Sequence, residues 1–92
     1  MNDRLAGMLR EIRQLGVGRV PCEAMPRAAR QEYNYRHSHG PLTWTEGGHE
    51  YRAEYIVDRT QAGINTFLYA SRDGFAIDHN AAIESLERLE GE

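Results

Sequence analysis

The sharpest constellation of side chains suited to binding a transition metal or doing nucleophilic chemistry at neutral pH is Cys22, His37, His39 and His49. A thiolate and three imidazoles are donors that a tetrahedral zinc ion prefers. Their spacing matches no zinc finger, since there is no Cys-x-x-Cys and no His-x-x-x-His pair. His37 and His39 point the same way only if the segment joining them is extended. The plainer reading is a set of solvent-facing loop histidines beside a small apolar cysteine. Covalent catalysis would draw on the same residues, with Cys22 as nucleophile and His37 or His39 as base. Nothing local activates the thiol, because the neighbouring Glu23 disfavours its thiolate. A Gly-rich phosphate loop and a Gly-x-Ser-x-Gly elbow are both missing. Asp58, Asp73 and Asp78 fall at strand ends or turns, where aspartate serves turn chemistry. The expectation is a protein that is not an enzyme, with no catalytic residues and no cofactor. A zinc-stabilised module on Cys22, His37, His39 and His49 is a lesser alternative.

Charge is spread unevenly. Residues 1–40 hold seven Arg against four acids, a balance of +3, and residues 41–92 hold four Arg against ten acids, a balance of -6. The total is -3, and lysine is absent. A GC-rich coding bias accounts for that absence first, although the planar guanidinium also suits anions and aromatic faces. Within the basic half, RAARQEYNYRHSH combines Arg27, Arg30 and Arg36 with Tyr33 and Tyr35, a mixture that contacts phosphates and stacks on bases. Its plainer counterpart is a solvated Arg face paired with the domain's own acids. Within the acidic half, Glu50, Glu54, Glu84 and Glu87 offer an anionic surface that steers a basic protein groove toward it. The same acids also suit ordinary exposed faces, with Glu84 and Arg88 forming an i to i+4 helix pair.

The elements that position these residues follow from periodicity. Leu5, Met8, Leu9, Ile12 and Leu15 recur at steps of three and four, which predicts a helix over 3–15, capped by Asn2 or Asp3 and ended by Gly16. Pro26 opens a short second helix over 26–35, and residues 37–41 form a loop because Gly40 and Pro41 are breakers. From Leu42 the period changes to two. Leu42 and Trp44 share a face, Gly47 and Gly48 reverse the chain, and Tyr51, Ala53, Tyr55 and Val57 alternate with Glu50, Arg52, Glu54 and Asp58. INTFLYAS is a third strand, apolar on both faces, so either the sheet is covered twice or one face is presented to a partner. A short fourth strand, FAID, follows Arg72-Asp73-Gly74. Asp78 or Asn80 caps a last helix bearing Ala82, Ile83, Leu86 and Leu89, which Gly91 ends. The fold class is α+β: N-terminal helix, short second helix, four-stranded antiparallel meander and C-terminal helix, with the helices mainly on one sheet face and a single domain over 1–92.

A lone cysteine precludes an intramolecular disulfide, and no apolar run reaches the roughly 18 residues that a membrane span needs, so the expected setting is cytoplasmic and away from membranes. The order helix, three strands, helix resembles the double-stranded RNA-binding domain in topology. That resemblance implies phosphate contacts from the start of the last helix. Here the chain departs from the family, with Asp78, Asn80 and Glu84 in place of lysines.

Aromatic residues set the order of the functional readings. Trp44, Tyr51, Tyr55, Phe67 and Tyr69 crowd the strands beyond what a single helical layer needs to cover, and Tyr, Trp and Arg dominate binding hot spots. The leading expectation is a small non-enzymatic binding protein that docks on and blocks a protein or nucleoprotein partner. Tyr33, Tyr35, Arg36, Trp44 and Tyr55 would dock, and Glu50, Glu54, Glu84 and Glu87 would steer, although Trp44 also suits a core. In size, acidity and lack of a catalytic motif the chain is similar to phage-encoded inhibitors of host defence such as anti-CRISPR proteins. Nucleic-acid binding or regulation through Arg27, Arg30, Tyr33, Tyr35 and Arg36 is the alternative. A homodimer is compatible with either.

Overall fold

The computed structural model describes residues 3–21, 23 and 36–92. The expected second helix, together with Cys22, Arg27, Arg30, Tyr33 and Tyr35, lies outside those residues. The described elements are α1 (Asp3–Leu15), β1 (Gly18–Pro21), β2 (Arg36–Glu46), β3 (His49–Thr60), β4 (Gly63–Arg72), β5 (Phe75–Ala76) and α2 (His79–Glu90). They make an α+β arrangement with an antiparallel sheet in the order β1-β4-β3-β2, and β5 pairs with β4.

Each helix follows from its local signals. α1 buries Leu5, Met8, Leu9 and Ile12, the stripe that its spacing predicts. Gly16 then takes φ 72°, and its N–H closes onto the Ile12 carbonyl at 2.7 Å. Asp78 caps α2, where one carboxylate oxygen accepts the Asn80 N–H at 3.0 Å and so satisfies a donor that the first turn leaves open. The buried positions of α2 are Ala82, Ser85 and Leu86. Among the described residues no helix is long and apolar enough to cross a membrane.

The sheet corrects the sequence reading in two places. The expected loop over residues 37–41 is the first half of an eleven-residue β2. The reason is a change of parity. His37 and His39 are odd-numbered whereas Leu42 and Trp44 are even, and a regular strand would send the two pairs to opposite faces. A bulge between His39 and Leu42 sets Gly40 and Pro41 against the single residue Glu54, which brings all four side chains to the helix-facing side. Gly40 has φ 102°, and a Cβ there would stand 2.9 Å from the Ala53 carbonyl and 3.2 Å from Met8 Cε, so the bulge needs glycine. The peptide that follows it, into Pro41, is cis.

The second correction is β1, which was not expected. Its four residues are too short for a periodic signal, and its terminal Pro21 is tolerated because the strand lies at an edge. Thr66 fastens it, accepting the Gly18 N–H at 2.7 Å through Oγ1 and donating its hydroxyl to the Gly18 carbonyl.

Between helices and sheet lies one core, with Met8, Leu9, Ala53, Tyr55, Val57, Ile64 and Leu86 all fully buried. Each large apolar side chain so placed contributes about 1.5–3 kcal/mol relative to exposure. A polar chain ties the β2–β3 hairpin to α2: the Trp44 indole donates to Ser85 Oγ at 3.0 Å, and Ser85 donates to Glu46 at 3.1 Å. Arg88 grips the same carboxylate twice, at 2.9 and 2.8 Å. The hydrogen bonds from Arg88 hold the Glu46 carboxyl below its usual range. Arg88 therefore bonds across to β2, and Glu84 is only a secondary charge neighbour.

Candidate functional site

β4 divides its side chains by parity. Ile64, Thr66, Leu68 and Ala70 turn toward the helices, and Phe67 and Tyr69 turn to the other face, in register with Ile56 and Glu54 of β3. Phe67 is 42% exposed and Tyr69 56% exposed, with near-parallel rings whose centroids are 6.3 Å apart. Ile56 beside them is buried, so the exposed apolar part of this face is concentrated on β4.

The backbone adds a second feature at the same place. β1 pairs with residues 63–66 of β4 and β5 with residues 71 and 72, so residues 67–69 have no strand beside them on that edge among the described residues. A groove of about 420 Å³ runs there, lined by Val17, Gly18 and residues 65–69. An uncovered strand edge beside exposed rings offers both backbone pairing and apolar contact to an incoming chain. A hollow of about 510 Å³ on the same face brings Thr43, Thr45, Glu50, Arg52 and Ser71 together. Its opposite charges make it a mixed polar rim and give it no preference for anions.

The structure places the residues singled out from sequence in quite different settings. Tyr55 is fully buried, and its hydroxyl donates to the Gly16 carbonyl at 2.6 Å. Burial pushes its phenol up to about 12. Trp44 is also core, stacked on Tyr51 at 5.3 Å between centroids. Neither presents a docking surface, which corrects the docking expectation for both; Trp44 takes the core place that was weighed beside it. Arg36 is exposed at the start of β2, opposite Asp58. Glu50 and Glu54 lie on the sheet face away from the helices, where Glu54 accepts the Ser38 hydroxyl at 2.8 Å. Glu84 and Glu87 are exposed on α2, with Glu87 3.7 Å from Arg13. Because α2 packs on the opposite side of the sheet, these four acids do not form one anionic surface.

The proposed metal ligands are likewise separated. His37 and His39 sit edge to face under α1, with ring centroids 4.5 Å apart. His49 opens β3, its Nδ1 2.6 Å from Asp73, whose other oxygen accepts the Glu50 N–H at 2.9 Å. His39 pairs with Tyr55, six residues along β3 from His49, a distance of about 20 Å at strand rise. Cys22 lies outside the described residues. Among those that are described, no three of His, Cys, Asp and Glu are gathered to hold a metal ion. Asp73 and His49 instead clasp two neighbouring turns together.

Phe67 and Tyr69 were visible in the sequence as the second apolar face of their strand. The bare edge beside them was not, because it depends on where β1 and β5 stop. Compared with known proteins, the chain matches no protein family, no curated protein and no solved structure.

Proposed function

We propose that this chain is a non-enzymatic binding module that occupies the surface of a protein or nucleoprotein partner through the β4 edge and its outward face. The observation that carries this reading is the pair of exposed, near-parallel rings, Phe67 and Tyr69, on a strand edge that no strand among the described residues covers at the same residues. Arrangements of this kind recognise an extended segment by adding it as a strand, with aromatic side chains supplying the apolar contact. Blocking by occupancy is the mode of action expected from size and charge, and a small phage-type inhibitor is one form it takes.

The test compares the natural chain with a Phe67→Ser, Tyr69→Ser double variant as baits in nuclease-treated lysate of the source cell. A protein retained by the first and lost by the second, with unchanged thermal melting of the bait, supports the proposal. Equal retention by both baits sinks it. Retention that disappears with nuclease treatment and is unaffected by the two substitutions would instead favour nucleic-acid binding through Arg36 and the residues before it.

A further inference from the structure

His39 occupies the seam between α1 and β2. Its side chain is 15% exposed, and its Nε2 is buried without a hydrogen-bond partner. Glu11 of α1 stands 3.6 Å from that nitrogen, just beyond hydrogen-bond distance. On β2 itself, His37 meets the ring edge-on at 4.5 Å between centroids. Arg10 of α1 is a further positively charged neighbour. From β3, the Tyr55 ring lies 6.3 Å away and is un-ionised at any moderate pH. α1 passes over the imidazole at ordinary contact distance, a Cβ on Gly7 standing 3.8 Å from His39 Nδ1. Among the described residues, then, one carboxylate faces two imidazoles in the seam, with the exposed Arg10 guanidinium at its rim. A proton added to His39 must be accommodated there with one acid to balance it.

We propose that His39 is an acid-sensitive latch between α1 and β2, in which a proton on its ring loosens α1 from the sheet. The latch is independent of the docking face, which lies on the other side of the sheet.

The sign follows from the surroundings. Burial first, and His37 second, hold His39 below the usual imidazole range, while Glu11 pulls the other way. A folded-state value below the unfolded one means that the closed seam binds the proton more weakly than the open chain does. The stabilisation is complete above the ordinary imidazole value of about 6.5 and is lost as pH falls through the interval beneath it.

Amide hydrogen exchange tests this, with protection at Leu9 and Ile12 of α1 expressed relative to Leu86 of α2 at pH 7.5 and pH 5.5, after correction for intrinsic rates. The ratio is expected to fall about threefold or more on acidification. His39→Gln should leave the ratio independent of pH. His37→Gln, which removes a repulsion, should shrink the fall, and Glu11→Gln, which removes an attraction, should enlarge it. A constant ratio in the natural chain overturns the proposal, as does an undiminished fall in His39→Gln. If that variant does not fold, the other two still decide, because His37→Gln and Glu11→Gln moving the ratio in the same direction is incompatible with a latch at His39.

Discussion

Both faces of the sheet carry aromatic side chains, yet those of the β3 inward face and those of the β4 outward face have opposite fates. On the helix side, Tyr51, Tyr55, Val57 and Ile64 are no more than 9% exposed, whereas Phe67 and Tyr69 on the other side are 42% and 56% exposed. What separates the rings is parity and the presence of α1 and α2 above one face. Burial is thus a property of register, and the exposed aromatics are the informative ones because folding does not need them. The comparison breaks if both faces respond alike to mutation. Leu86→Ala empties a fully buried site facing the sheet and should cost about 3 kcal/mol in denaturant unfolding. The Phe67→Ser, Tyr69→Ser pair should stay within about 1 kcal/mol while removing partner binding. Comparable losses from both would mean that the outward face is structural.

Next in size is the bulge that lets β2 contribute to the buried face along its whole length. Gly40→Ala puts a side chain at φ 102° and 2.9 Å from the Ala53 carbonyl, which should cost about 2 kcal/mol by the same measurement. A neutral result would show that the strand can reset its register without glycine. Ser85→Ala is expected to be milder, about 1–2 kcal/mol, because it leaves the Trp44 indole N–H in the core without its acceptor. Tryptophan fluorescence should shift in the same variant. A silent spectrum and an unchanged midpoint would show that the indole finds another partner.

The helices, the β2–β3 hairpin and the inward face of β3 were legible because each is a local pattern: a stripe at steps of three and four, a Gly-Gly reversal, an alternation of Tyr51, Ala53, Tyr55 and Val57 with polar residues. The course of β2 was hidden by Gly40 and Pro41, which signal a loop in isolation but in this sheet form a bulge. The parity mismatch between His37/His39 and Leu42/Trp44 was the available clue, and it required knowing that both belong to one strand. β1 carries no local signal, since its place is set by pairing with residues 63–66 far along the chain. The candidate site was half legible for the same reason. Its rings follow from alternation within β4, and its bare edge follows from non-local pairing. Tyr55 was misjudged because a residue on the inward face of a strand looks the same in sequence whether or not a helix covers it.

The smallest expected effect concerns a direct strap between the helices above the buried face. Arg13 Nη2 lies 2.8 Å from Glu90 and 3.7 Å from Glu87, with its own side chain 51% exposed. A pair so open to water is screened by solvent and salt, and the core beneath it already joins α1 and α2 to the sheet. Arg13→Ala should therefore lower the thermal midpoint only slightly at pH 6. The hydrogen bond from Arg13 holds the Glu90 carboxyl below its usual range, so the strap is complete above the ordinary carboxylate pKa and is lost as pH falls through the depressed one. The difference between Arg13→Ala and the natural chain should accordingly shrink as pH falls below the ordinary carboxylate range, and vanish at pH 6 in molar salt. A midpoint loss at pH 6 as large as that of Leu86→Ala, persisting in salt, would mean that the helices are held by charge at their outer surface and that the contrast between the two sheet faces has another cause than the core between them.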